Sequence, residues 1–167
     1  LFNNLFFVGI MFAVLWGTMF PIISEAVRGV KISVAAPFFN QVNIPLGLGL
    51  LFLSGICPLI AWRKASARNL RRNFLYPLSL SFVITATLYT LGIRHVVALI
   101  SFAICLFVFG TIILEFYRGT RARRAVSGGT VWQAFVSVIR RNRRRYGGYI
   151  VHFGIVLIFV GITGSSA

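Results

Sequence analysis

Residues 96–117 read VVALISFAICLFVFGTIILEFY, a run in which the first charged side chain is Glu115. The hydrocarbon core of a bilayer is about 30 Å thick, and a helix needs about 20 apolar residues to cross it. Backbone inside lipid must satisfy its own hydrogen bonds, so such a run is a helix or a strand of a closed barrel. Barrel strands alternate apolar and polar residues, whereas this run is continuously apolar. It therefore predicts a membrane-spanning helix.

Four further runs of the same character lie on either side of this one. Each is rich in Leu, Ile, Val and Phe and is uncharged across its middle: 6–23, 43–62, 74–91 and 146–163. The composition agrees, since 58% of the 167 residues are hydrophobic and 11% are charged, against about 25% charged residues in a soluble domain. The sequence therefore predicts an all-α, polytopic bundle of about five spans and excludes a soluble globular domain.

The basic residues are concentrated in alternate links between the predicted spans. Along the chain the four links hold 2, 5, 1 and 9 Lys and Arg residues, and basic links stay in the cytoplasm. The links 63–73 and 118–145 are thus predicted to be cytoplasmic, with the N-terminus cytoplasmic and the C-terminus periplasmic. Because this topology explains the net charge of +15, we expect no nucleic-acid partner, only contact with membrane lipid.

The long basic link, 118–145, contains a helical signal of its own. Thr130 and Gln133 have the spacing of a capping box. Apolar residues then recur at helical spacing, which predicts a helix at about 131–139. This helix either lies in the headgroup plane, as an interfacial helix, or packs on another part of the protein.

The acidic residues and the chain ends give two further expectations. Glu25 and Glu115 are each followed three residues later by an arginine, at Arg28 and Arg118, a spacing that favours ion pairs along a helix. Neither acid resembles the mid-membrane carboxylate of an ion pump. The sequence has no initiator Met and ends just past a span, so we expect a segment of a larger or split protein.

His152 is the only ionisable side chain predicted to lie well inside a span. With Arg145 at the inner interface, seven residues of helix place His152 roughly 10 Å deep. Ionisable residues at such depth are rare and usually functional. His95, by contrast, lies beside Arg94 in a short outer link and is interpreted as a surface residue.

The residues around His152 leave its role open. Gly147, Gly154 and Gly161 form a stripe that lets another helix approach closely, and His152 points about 140–180° away from it. Its own face carries Gly148, Val156, Phe159 and Thr163. Three interpretations remain: an axial ligand of haem iron, a hydrogen bond to another helix, and a proton relay.

Several stretches resemble the cytochrome c maturation haem lyase family, which comprises the CcmF proteins and their NrfE-like, nitrite-reductase-linked relatives. They occur in the family's order and are WGTMFP at 16–21, KISV at 31–34 with APFFN at 36–40, GICPLIAWR at 55–63, and RYGGYIVHFGIV at 145–156 with GITG at 161–164. The resemblance covers most of the chain and implies the C-terminal part of the family's membrane domain.

The resemblance implies an enzyme of the bacterial inner membrane, or of the mitochondrial one in plants. Such proteins take substrate haem from a periplasmic haem chaperone and, with other cytochrome c maturation proteins, join it to apocytochrome c. They also hold a haem b between two intramembrane histidines, and His152 matches the second of these ligands. The other axial histidine, the outward-facing ligands of the substrate haem and the tryptophan-rich segment have no counterpart in this chain. The chain alone is therefore expected not to catalyse the ligation.

Two other classes of function remain as alternatives. A membrane transporter or channel module would need polar residues lining a path through several spans, and a non-catalytic assembly scaffold would only dock partners. Haem absorbance in the purified protein separates both from the haem lyase interpretation.

Overall fold

The computed structural model describes residues 1–60 and 67–166. Side chains are described for all of these residues except 57–60, 67–70, 72 and 166. Six α-helices and no strand are present in these ranges: α1 (Phe2–Arg28), α2 (Ala36–Ile60), α3 (Ala67–Thr90), α4 (Val96–Ser127), α5 (Val131–Arg141) and α6 (Arg143–Ser166). The predicted all-α class is thus confirmed. The end of the predicted span 43–62 and the first part of the link 63–73 lie outside the described residues.

Four of the described helices are long and apolar enough to cross a membrane: α1, α2 over Ala36–Ile56, α4, and α6 over Arg143–Ser165. The predicted span 74–91 falls on α3, which is not among these four helices. The structure therefore supports a multi-pass membrane protein with four candidate spans. A fifth crossing and the orientation of the ends stay predictions.

Helix α4 continues well beyond the predicted span 96–117. It has 32 residues, or about 48 Å at 1.5 Å per residue, which exceeds the hydrocarbon thickness. Its last turns carry several arginines and alanines, which favour helix. The helix ends at Ser127, and its C-cap is Gly128, whose φ of 64° lies in the left-handed region that favours glycine. The C-cap of α1, Gly29, has a similar φ of 66°. The first third of the predicted link 118–145 is therefore helical.

The chain divides into two compact units, Leu1–Leu53 and Ser54–Ala167. In the first unit, α1 and the first part of α2 approach closely at a glycine: a Cβ on Gly17 would lie 2.6 Å from the ring of Phe39. The connection between these helices folds back on α1, where the backbone N–H of Ile32 donates to Ser24 Oγ at 3.0 Å.

In the second unit, α4 packs against α3, α5 and α6. On the α3 side, Ser81 Oγ donates to the carbonyl oxygen of Ala103 at 2.6 Å, and a Cβ on Gly110 would lie 3.2 Å from Pro77. The most deeply buried side chains of the described residues, Cys105, Val108 and Thr111, all belong to α4. Helix α4 is therefore the centre of this unit.

Helix α5 begins with the capping box that the sequence indicates. Thr130 Oγ1 accepts from the backbone N–H of Gln133, and Gln133 Oε1 accepts from that of Thr130. Its buried residues are Ala134 and Val138, and Phe135 packs on Phe116 of α4 at 5.6 Å between ring centroids. Helix α5 thus packs on α4, and its position in the headgroup plane stays a prediction.

Candidate functional site

His152 lies on α6, nine residues after the helix begins at Arg143, or about 14 Å along its axis. The imidazole is half-buried. Its Nδ1 atom is buried and has no hydrogen-bond partner among the described residues. A buried polar atom without a partner is costly and calls for a specific explanation. The Nδ1 atom is therefore enclosed by the protein, and it is the exposed part of the half-buried ring that a group from outside the described part of the chain can reach.

The face of α6 that carries His152 is partly used for packing on α4. Val156, one turn after the histidine, is 3% exposed. Two turns further on, Thr163 Oγ1 lies 2.6 Å from Ser101 Oγ of α4. The sequence indicated an open apolar face here, and the structure corrects that expectation at these two positions, because both side chains turn inward to α4. Gly148 remains open, since a Cβ there would meet nothing within 4 Å.

The glycine stripe on the opposite side of α6 is open as well. A Cβ added at Gly147, Gly154 or Gly161 would meet no described atom within 4 Å. The close helix approach that the stripe predicts is therefore not made by the described residues of this chain. The stripe stays a predicted contact surface for a helix from elsewhere.

A polar cluster fixes the start of α6 against α4. Glu115 of α4 forms an ion pair with Arg145 of α6, so it pairs across the two helices rather than with Arg118 along its own. Tyr149 Oη accepts from Arg145 Nε at 3.0 Å and donates to Glu115 Oε2 at 3.3 Å. The carboxylate is 12% exposed, which makes this a largely buried, charge-assisted network.

Aromatic rings surround this cluster. Phe116 packs against Tyr146 and Tyr149, with centroids 5.1 and 6.0 Å away, and the two tyrosine rings meet edge to face. Both tyrosines are about 95% buried. Since Tyr149 lies one turn before His152, the cluster and its rings set the rotation and depth of the imidazole. Sequence reasoning missed this network because Glu115 and Arg145 are 30 residues apart.

His95 lies far from this arrangement in sequence and has a different role. Its side chain is exposed, as predicted, and it caps the N-terminus of α4, where Nδ1 accepts from the backbone N–H of Ala98 at 3.4 Å. The described residues contain no group of three or more His, Cys, Asp or Glu side chains placed to hold a metal ion. His152 is therefore the candidate ligand that this part of the chain supplies.

The chain is similar over nearly its whole length to curated cytochrome c biogenesis proteins. It is 28% identical to the cytochrome c-type biogenesis protein CycK of Rhizobium meliloti over 99% of the chain and 24% of that protein. It is 27% identical to CcmF of Pseudomonas aeruginosa over the same shares. A match to CcmF of Escherichia coli reaches 30% identity over 58% of the chain and 15% of that protein. The resemblance found in the sequence is thus confirmed.

The chain spans about a quarter of the length of the curated relatives it matches. No family model matches the chain. No solved structure matches it either.

Proposed function

We propose, from the relationship of this chain to the CcmF-like cytochrome c-type biogenesis proteins, that it is part of a haem lyase acting in cytochrome c maturation. Its own contribution is an axial ligand, His152, to a haem b inside the membrane. The observation that carries the proposal is the half-buried imidazole of His152, an ionisable side chain well inside the apolar part of α6. The relatives support a role in cytochrome c maturation, because CycK and CcmF are cytochrome c-type biogenesis proteins.

The residues around His152 fit the role of one ligand of two. A haem held between two histidines needs a single neutral imidazole from each side. The surrounding positions on α6 are apolar or small, and Gly148, one turn before, leaves room beside the ring. When bound, haem b supplies one-electron redox chemistry at its iron. The second axial histidine and the ligands of the substrate haem come from outside this chain.

The polar cluster would hold the ligand in place. Arg145 and Tyr149, both bonded to Glu115, precede His152 by two turns and one turn of α6. Thr163 ties the other end of the helix to Ser101. Because α6 is attached to α4 on both sides of the imidazole, the helix cannot slide or rotate without breaking these bonds. Such support by outer groups is what keeps a metal ligand correctly oriented.

The setting of the proposed activity is the bacterial inner membrane. The enzyme would join haem, delivered by a periplasmic haem chaperone, to apocytochrome c together with other maturation proteins. Thioether formation depends on placing the haem vinyl groups against the two thiols, so most of the protein's contribution is positioning. This chain contributes the membrane part beneath that reaction.

The test is a reduced-minus-oxidised spectrum of the purified full-length protein. His152→Ala should abolish the b-type absorbance, because the iron loses one of its two protein ligands. His95→Ala is the matched control, since His95 is exposed and caps α4, and it should leave the spectrum unchanged. Full retention of haem b in His152→Ala would remove the assignment. A transporter or a scaffold would give no haem band in the unmodified protein.

A further inference from the structure

Two grooves on the outside of the second unit meet at one tryptophan. The first is apolar, has a volume of about 750 Å³, and lies between α4, α5 and α6. Its walls include Phe109, Ile113, Phe116, Phe135, Ile150 and Phe153. Trp132 of α5 lies at its edge, 71% exposed. Aromatic and aliphatic walls of this kind fit a hydrocarbon chain.

The second groove is basic and lies on the other side of Trp132. It has a volume of about 580 Å³ and is lined by Arg123, Arg140 and Arg141. Gln133 and Ser137 complete its walls. Arg123 is held in place by donating from Nε to Ser137 Oγ at 3.1 Å. Three arginines that line one space form a typical binding place for a phosphate group.

A buried hydroxyl lies in the apolar groove. Thr120 is 8% exposed and lines the groove, and its Oγ1 has no hydrogen-bond partner among the described residues. Such an oxygen in an otherwise apolar wall is costly unless a ligand atom bonds to it. The oxygen is enclosed behind the wall of the groove, so a polar atom in the middle of an amphiphile, between its headgroup and its hydrocarbon, would satisfy it once the side chain rotates toward the groove.

We propose that these two grooves together bind one anionic phospholipid. The phosphate headgroup lies among Arg123, Arg140 and Arg141, the ester region bonds to Thr120, and an acyl chain follows the apolar groove. From Thr120 to Phe109 the groove runs along α4 for 11 residues, or about 16 Å. That is about half of the 30 Å hydrocarbon core, the depth of one leaflet.

The chemistry of the paired grooves favours a lipid over other anions. A nucleic acid or a free phosphate would use the arginines but leave the apolar groove empty. An apolar helix of a partner would fill the apolar groove but leave three arginines without an anion. A phospholipid matches both, and Trp132 at the boundary is typical of the membrane interface. The proposal does not depend on haem binding.

Native mass spectrometry of the detergent-purified full-length protein tests the proposal. The protein is titrated with phosphatidylglycerol and with phosphatidylcholine of the same acyl chains. We expect phosphatidylglycerol to bind with a stoichiometry of one and phosphatidylcholine to bind much more weakly. Each juxtamembrane arginine contributes about fivefold to affinity for an anionic lipid, so R140Q/R141Q should weaken binding of phosphatidylglycerol about 25-fold.

The matched control is R121Q/R124Q, which removes two charges from α4 at positions outside both grooves. It should weaken binding of phosphatidylglycerol clearly less than R140Q/R141Q does, because these two charges lie outside the grooves and act on the headgroup only through screened attraction. Thr120→Val changes the buried hydroxyl alone and should weaken binding of phosphatidylglycerol severalfold. Equal losses in the two double variants would overturn the proposal, as would equal affinity for the two lipids. If R140Q/R141Q does not fold, Trp132→Ala tests the residue that lines both grooves, and it should lower the affinity for phosphatidylglycerol.

Discussion

The hydroxyl oxygens of Ser101 on α4 and Thr163 on α6 lie 2.6 Å apart, and both side chains are more than 90% buried. Together with the Glu115–Arg145 ion pair at the other end of the same helix pair, this bond fixes α6 on α4. His152 lies between the two attachments. The position of the candidate ligand therefore depends on two polar contacts that involve neither the imidazole nor any ligand.

Removing one partner of the Ser101–Thr163 bond should cost more than removing both. Ser101→Ala or Thr163→Val alone leaves a buried hydroxyl without its partner, a cost of about 1–3 kcal/mol in the free energy of unfolding. The double variant replaces both hydroxyls by apolar groups and should recover most of that loss. Thermal unfolding of the three purified variants in one detergent measures the difference. Strictly additive losses would contradict the bond.

Glu115→Gln should lower the stability of the helix pair and disturb the site. The change removes the charge that Arg145 and Tyr149 share. Breaking a fully buried pair costs about 3–5 kcal/mol when one charge is left behind, and the loss here should be smaller because the side chain of Arg145 is 34% exposed. We expect a lower Tm and, through the looser α6, a shifted b-type absorbance. The control is Glu25→Gln, because Glu25 is exposed and should leave both measurements unchanged. A normal spectrum in Glu115→Gln would contradict the prediction that the haem site depends on the polar cluster.

Substitution by alanine should have different effects on stability at two glycines of this helix pair. A Cβ on Gly119 of α4 would overlap Tyr146 Oη, whereas a Cβ on Gly154 of α6 meets nothing within 4 Å. Gly119→Ala must push the tyrosine out of its buried position, at a cost of about 1–3 kcal/mol. Toward the described helices Gly154→Ala should be neutral, or stabilising by up to about 1 kcal/mol from helix propensity. A loss of stability in this variant would instead indicate that a helix from elsewhere packs on the glycine stripe. Comparison of the two melting curves checks the packing of α4 on α6.

Long apolar runs were enough to predict the helical class and four of the spans. The ends of these helices were not predictable in the same way, because hydropathy reports lipid contact and not where the backbone stops being helical. Helix α4 runs on to Ser127 through its arginines. The run at 74–91 shows another limit: α3 is a helix there and ends at Thr90, but it is not among the four candidate spans.

The candidate site was predictable only where it depends on one residue. His152 stands out because an ionisable group inside an apolar run is rare. Its surroundings are tertiary: Glu115 meets Arg145 across two helices, and helical spacing along α4 pointed instead to Arg118. Thr163 was correctly placed on the histidine's face by the helical wheel, but its bond to Ser101 needs the packing of α4, which no local pattern contains.

Chemical rescue separates loss of a ligand from loss of structure at His152. In the full-length protein, His152→Gly removes the imidazole and leaves a space next to Gly148, where a Cβ would already meet no atom. We expect the b-type absorbance to disappear and to return when free imidazole is added, because a small neutral imidazole can replace the side chain at the iron. The control is Val151→Gly on the same helix, an exposed position with a similar loss of helix propensity, about 0.5 kcal/mol, which should keep its spectrum without imidazole. If His152→Gly lost the absorbance together with its folded helix, and imidazole restored neither, the residue would be structural. Return of the absorbance at imidazole concentrations that leave Val151→Gly unchanged would identify the ring nitrogen itself as the group that the haem requires.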